Sequence, residues 1–279
     1  MGVNFLLGVG AQRAGTSWTY NYVSENPQFQ PGFFKEYHVF DSIYLPPALS
    51  YLDQYREDAL QQEQRLELGL PTDSFAIDRL KFIQSPNLYF EHFSNLIRNG
   101  QGKNLTGETT PLYAALSAAA FSSIRENLLK ASFTPKVVFM MRDPVARAIS
   151  AARLILRQDP SLDQGKGEVD FIRSVYPSVH FNLRARYDIT IKNLEAVFKP
   201  EEIHFGFFEN LFTEKSIRAL CSFLELDYRV PNFSAKVNTT QSSTTVPSQL
   251  RQEITLHNLP VYEYVINKFG NDLVEKAWG

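Results

Sequence analysis

The chain has 279 residues, 44% of them hydrophobic and 13% aromatic, enough to fill one large α/β core or two small ones, which excludes a disordered polypeptide. With 28 basic and 30 acidic residues the formal charge is -2, so the overall balance excludes an electrostatic case for nucleic acid or an anionic membrane, and any anion recognition has to be local. A single cysteine, Cys221, excludes an intrachain disulfide and a cysteine metal cluster; a buried thiol in a reducing compartment, the cytoplasm, is the expectation.

Val3–Gly8 is the first of five apolar runs expected as buried strands. Met1–Gly10 is too short and lacks the basic lead of a cleaved leader, and no stretch approaches the roughly 18 apolar residues of a membrane span. The strand turns through Gly10 and Gly15 into a helix expected at Thr16–Glu25, the anatomy of an anion cradle: glycines let the backbone curl around an oxyanion while the new helix points unpaired amides at it. A nucleotide-kinase P-loop would carry Lys where Thr16 stands, and a dinucleotide fingerprint would carry Gly where Arg13 stands. The cation is Arg13, inside the loop. The second strand, Gln28–Phe34, leads into Lys35-Glu-Tyr-His-Val-Phe-Asp41, which by itself reads equally as a solvated charge run.

Helices are expected at Pro47–Leu68 and Pro86–Asn99; the aromatic and leucine-rich stretch 42–102 that holds them is placed to shape an acceptor pocket. The strand Lys103–Gly107 ends in Glu108-Thr-Thr-Pro-Leu-Tyr113, followed by a helix at Tyr113–Lys130. Next, Lys136–Met141 runs into Arg142-Asp-Pro and a helix at Val145–Gln158, with Pro144 in its first turn and Asp143 as its cap. Arg142 stands at a strand's carboxyl end, where a magnesium-dependent phosphotransferase would place an acid; Ser150 follows two helical turns on, with Arg147 between. Taken alone, Arg142 could equally pair with Asp143 on the surface. A loop at Asp159–Glu168, a helix at Phe181–Phe198, a strand at Glu202–Phe207 ending in Phe208-Glu-Asn-Leu211, helices at Thr213–Leu226 and Pro247–Phe269, and a polar loop between them carrying Lys236 and Asn238 complete the chain. This alternation predicts one α/β domain over 1–279, a mostly parallel five-stranded sheet flanked by helices, with the loops after the strands gathered at one edge.

The first loop together with Arg142 and Ser150, eight residues apart, resembles the PAPS-dependent (3′-phosphoadenosine 5′-phosphosulfate-dependent) sulfotransferase family, which has a P-loop-like fold. The resemblance implies that Gln12, Arg13, Ala14, Gly15, Thr16, Ser17 and Trp18 hold the 5′-phosphosulfate end, with Arg13 in the place of the usual Lys and Trp18 on the adenine. It implies that Arg142 and Ser150 hold the 3′-phosphate. Lys35-Glu-x-His-x-Phe-Asp41 is similar to an element of the heparan-sulfate and related carbohydrate sulfotransferases, which makes Glu36 the general base, Lys35 a charge-neutralising partner and His38 an orienting residue. By the same likeness Glu108 and Tyr113 lie beside the acceptor, Phe208 stands where a Tyr often sits, and Lys236 and Asn238 belong to a late segment over the cofactor. The implied reaction consumes PAPS, releases 3′,5′-bisphosphoadenosine, needs no metal and sulfates a hydroxyl or amine of a small glycan, lipid or metabolite. Two other readings stand beside it: a P-loop phosphotransferase using ATP and magnesium, and a non-enzymatic nucleotide- or carbohydrate-binding module, against which Lys35–Glu36 beside the phosphate loop argues.

Overall fold

In the computed structural model, which describes residues 2–234 and 244–279, five strands form one parallel sheet: β1 (Val3–Gly10), β2 (Phe29–Pro31), β3 (Leu105–Thr109), β4 (Phe133–Met141) and β5 (Ile203–Phe207), in the spatial order β2-β3-β1-β4-β5. β1 and β4 are buried almost end to end instead of alternating in and out, the signature of a sheet covered on both faces. Phe5, Leu6, Leu7 and Val9 of β1 are at most 2% exposed, and each such side chain stabilises the fold by about 1.5–3 kcal/mol through its burial. Gly107 permits this close packing: its φ is +138°, and a Cβ there would lie 2.1 Å from the Leu6 carbonyl oxygen.

The helices are α1 (Thr16–Ser24), α2 (Val39–Tyr44), α3 (Leu52–Glu67), α4 (Ser74–Gln84), α5 (Pro86–Asn99), α6 (Ala118–Lys130), α7 (Pro144–Gln158), α8 (Glu168–Val175), α9 (Val179–Leu183), α10 (Tyr187–Glu195), α11 (Phe208–Leu211), α12 (Glu214–Leu224), α13 (Ser248–His257), α14 (Leu259–Phe269) and α15 (Asn271–Trp278). The main core lies around the sheet, and a second apolar cluster joins α7 to α8, α9 and α13 through Ala148, Ala152, Ile172, Phe181, Leu250 and Ile254. No helix of the described residues is long and apolar enough to cross a membrane.

The five strands fall where the apolar runs place them, but several expected helices are divided. Pro47–Leu68 is a short 3-10 turn at Pro47–Leu49 and then α3, separated by extended Ser50. Tyr113–Lys130 starts as a 3-10 turn, opens at Leu116 and restarts where the Ser117 hydroxyl accepts from Ala120 N–H at 3.2 Å. Pro247–Phe269 breaks at Asn258, just before Pro260, whose missing N–H and ring cannot continue a helix. Phe181–Phe198 breaks at 184–186, and that break turns Arg184 into the cavity described below. β2 is shorter than expected, ending at Pro31 and Gly32 on the sheet's edge.

Chain reversal across the sheet follows from the order: β2 and β3 lie on one side of β1, β4 and β5 on the other. The loops after β1 and β4 therefore diverge from a single crevice at the carboxyl ends of two neighbouring strands, the place where open α/β sheets bind ligands.

Candidate active site

That crevice opens into a cavity of about 660 Å³. Its first wall is the β1–α1 loop. Gly15 holds φ at +82°, and a Cβ on it would sit 2.7 Å from Leu211 and 3.0 Å from Phe208, so only glycine fits between the loop and α11. As the left-handed cap of α1 it leaves the first turn, Thr16 to Trp18, facing the cavity. Gln12, Arg13, Gly15, Thr16, Ser17 and Trp18 line the space, whereas Ala14 is fully buried and does not. Trp18 stacks parallel to Tyr22 and Phe233, with ring centroids 5.8 and 6.1 Å away, so it belongs to a stack of rings at the cavity's rim.

α7 forms the second wall. Pro144 opens the helix, and the Asp143 carboxylate caps it by accepting from Ala146 N–H at 2.8 Å while also accepting from the Tyr262 hydroxyl. Asp143 is thus taken up by the helix end, and Arg142 turns elsewhere. Its guanidinium donates to the Arg13 carbonyl at 3.0 Å and lies 4.4 Å from the Phe208 ring centroid, while its Nε is buried without a hydrogen-bond partner among the described residues. Arg13 Nε donates to Ser150 Oγ at 3.0 Å, so the two segments, 137 residues apart in sequence at this contact, meet directly. Burial lowers the pKa of both arginines, and for Arg13 the nearby charges of Arg142 and Arg157 lower it further. Like charges are crowded around Arg13 in a way that an anion would relieve, whereas Glu209 and Asp143 act on Arg142 with the opposite sign.

The turn after β2 supplies the third wall. Lys35 Nζ lies 2.5 Å from Glu36 Oε1; the other Glu36 oxygen is 3.2 Å from His38 Nε2, and His38 Nδ1 is 3.0 Å from Asp41 Oδ2. Arg79 braces the turn by donating to the Glu36 carbonyl at 3.2 Å, its guanidinium carbon 4.0 and 4.3 Å from the ring centroids of Phe34 and Tyr55. Burial works to raise the Glu36 pKa, but hydrogen bonds from His38 and Lys35 and their charges outweigh it and bring it down to about 2. Burial would lower that of His38, yet its bonds to Asp41 and Glu36 push it up to about 9. At neutral pH the turn holds a carboxylate between an ammonium and an imidazolium.

Lys35, Glu36 and His38 line the same cavity as Arg13, Arg142, Ser150 and Phe208. Glu108 and Tyr113, expected beside the acceptor, do not line it and are fully buried behind the Lys35–Asp41 turn. Glu108 is 0% exposed, accepting from Tyr37 N–H at 2.9 Å, from the Tyr89 and Tyr113 hydroxyls at 2.8 Å each and from Thr110 at 2.5 Å. It ties β3 to the Lys35–Asp41 turn from behind. Lys236 and Asn238 lie outside the described residues. The cavity also gathers Arg153, Arg184 and Arg251, which the motifs did not name. Arg153 was legible as one turn beyond Ser150 on α7, while Arg184 comes from the unexpected helix break and Arg251 from α13. With Arg13, Lys35 and Arg142 that makes six arginine and lysine side chains, beside the His38 imidazolium, lining a space where Glu36 is the one acid among the described residues, in a chain of net charge -2.

A parallel α/β sheet whose strand-end crevice holds a glycine-bent helix start, two facing arginine-bearing turns and a carboxylate beside them is an arrangement chemically suited to a polyanionic ligand and to proton transfer beside it. Residues 6–229 match the Sulfotransferase family, and the chain belongs to it. The fold is shared with a sulfotransferase from Alicyclobacillus acidocaldarius, at 20% identity, with 96% of each chain covered and a TM-score of 0.58. It is shared also with the sulfotransferase domain of the Synechococcus PCC 7002 olefin synthase, at 16% identity, 94% of each chain and a TM-score of 0.54. No curated protein sequence matches this chain at a significant level.

Proposed function

We propose that this sulfotransferase moves a sulfuryl group from PAPS onto a hydroxyl or amine of a small glycan, lipid or metabolite, with Glu36 as general base. The observation that carries the reading is the ionised Glu36, paired to Lys35, on the same cavity as the Arg13–Ser150–Arg142 cluster. The donor set suits this cofactor: the loop from Gln12 to Trp18 for its 5′ end, Arg142 with its unpaired Nε and Ser150 for its 3′-phosphate, and Trp18 and Phe208 for the adenosine. Lys236 and Asn238 remain candidates to cover it. Membership of the sulfotransferase family, and Thr16 where a kinase loop carries Lys, favour this reading over phosphoryl transfer.

When bound, PAPS supplies an activated sulfuryl group on a phosphate leaving group. Arg13, Lys35 and the first amides of α1 then stabilise negative charge developing on the leaving side. Glu36 takes the acceptor's proton at the opposite side. A carboxylate with a pKa near 2 is a poor proton acceptor, because general bases work best with a pKa close to the operating pH. A phosphosulfate held at the cavity would compete with Glu36 for Lys35, and loss of one of the two cations that hold Glu36 down would make it the better base. His38, oriented by Asp41 and cationic at neutral pH, keeps the Glu36 carboxylate aimed at the cavity and is not itself the base.

Thermal unfolding with 3′,5′-bisphosphoadenosine tests the cofactor assignment without an acceptor. At about one hundred times its dissociation constant, single-site binding stabilises by roughly 2.7 kcal/mol, a rise in Tm on the order of 5–10 °C for this size. AMP, lacking the 3′-phosphate, should give a much smaller shift. Equal shifts from the two nucleotides would remove the assignment of Arg142 and Ser150.

A further inference from the structure

Arg147 lies on α7 between the two residues assigned to the 3′-phosphate, three positions before Ser150 and so on a neighbouring stretch of the same helical face. It is 1% exposed, among the largest fully buried side chains of the protein. Its Nη2 donates to the Phe181 carbonyl at 3.1 Å, while Nε and Nη1 are buried with no hydrogen-bond partner among the described residues. No carboxylate forms an ion pair with it among the described residues, and the stretch 235–243 contains no Asp or Glu. The charged groups acting on it are Arg142 and Arg184, of the same sign, both lining the cavity. Tyr187, whose hydroxyl donates to the Arg142 carbonyl, is kept neutral by burial, its pKa raised to about 12.

A buried guanidinium with no counter-charge and two like charges beside it is a costly arrangement, and an apolar side chain of similar length would fill the same space without that cost. We propose that Arg147 is the fixed counter-cation of the 3′-phosphate subsite, its charge balanced by a dianion held at Arg142 and Ser150. It is a specificity-determining residue that favours a 3′-phosphorylated nucleotide without touching it. Coulomb attraction through a partly desolvated interior is long-ranged enough for this, whereas a hydrogen bond is not. The proposal rests on the PAPS reading and adds to it the residue that makes the phosphate count.

The test is titration calorimetry of wild type, Arg147→Met and Arg147→Lys with 3′,5′-bisphosphoadenosine and with AMP, alongside thermal unfolding of the ligand-free proteins. Arg147→Met should bind the bisphosphate about tenfold or more weakly, with AMP changed by no more than about twofold, because only the 3′-phosphate has lost its counter-charge. Arg147→Lys, which keeps the charge, should retain the bisphosphate preference within about threefold. Ligand-free Arg147→Met should unfold within a few degrees of wild type or above it. Arg147→Met that binds both nucleotides like wild type, that loses both equally, or that does not fold would overturn the role given to Arg147. Wild type with no preference for the bisphosphate over AMP would instead overturn the PAPS reading itself.

Discussion

Glu36 and Glu108 stand back to back, since Tyr37, the residue after Glu36, donates its N–H to Glu108, yet their surroundings give them opposite chemistry. Around Glu108 every donor is neutral: a backbone amide, two tyrosine hydroxyls and a threonine. Burial there outweighs those bonds and raises its pKa. Around Glu36, 37% exposed at the cavity, the donors are an ammonium and an imidazolium, and its pKa falls to about 2. Neutral donors in a dry cage make a carboxyl group a structural hub; charged donors at a cavity wall keep one ionised and accessible for proton transfer.

The sharpest way to break this contrast is Glu36→Gln. The amide keeps the size and one acceptor oxygen but loses the basicity, so single-turnover transfer should fall by about 10²–10⁴-fold, while the Tm rise with bisphosphoadenosine stays near wild type. A variant with wild-type turnover would shift the proton transfer to another group and leave the two carboxylates alike in having no chemical role.

Glu108→Ala should fail in the other way. It strands the Tyr89, Tyr113 and Thr110 hydroxyls and the Tyr37 amide in a dry interior, where each unsatisfied group costs about 1–3 kcal/mol, so denaturant unfolding should show a loss of about 3 kcal/mol or more. Turnover per folded molecule should suffer far less than in Glu36→Gln. A stable Glu108→Ala protein with a raised KM for acceptor would restore Glu108 to the acceptor pocket.

The third difference is in pH. The pKa of His38 is higher folded than its ordinary 6.5, reaching about 9, so its contribution to stability is complete below pH 6.5 and is lost as pH rises toward 9. That of Glu36 is lower folded than its ordinary 4.5, so its contribution is present above pH 4.5 and is lost as pH falls toward 2. Between pH 6.5 and 9 wild type should lose on the order of 1–3 kcal/mol that His38→Gln does not, measured by chemical unfolding at each pH. Parallel stability curves for the two proteins would mean that the His38 imidazolium is not what the turn is built around.

Much of this site could be read from the sequence, for physical reasons that vary by residue. Gly15 and Arg142 sit at strand-to-helix junctions and Ser150 about two turns into the helix that follows, where local chain geometry dictates the residue type and the spacing survives folding. Parallel strands buried on both faces are continuous apolar runs, so β1 and β4 were visible directly. The motif around Glu108 fixes a position along the chain, near the end of β3, but not which way the side chain turns; three hydroxyls, Tyr89 of α5 and Thr110 and Tyr113 of the turn after β3, decide that. Arg184 was hidden inside an apolar pattern continuous enough to be read as one helix, where tertiary packing breaks it at 184–186. The meeting of Arg13 with Ser150, 137 residues apart, depends on β1 and β4 being neighbours, which the strand order settles and local pattern does not.

The most direct measurement is transfer of labelled sulfuryl from PAPS into an acceptor mixture of glycans, lipids and small hydroxylated metabolites, with chelator present, by wild type and Glu36→Gln side by side. Wild type should label an acceptor and release bisphosphoadenosine in equal amount, and Glu36→Gln should do so slower by about 10²–10⁴-fold. Phosphate transfer from ATP in place of sulfuryl transfer from PAPS, or equal labelling by the two proteins, would contradict the account.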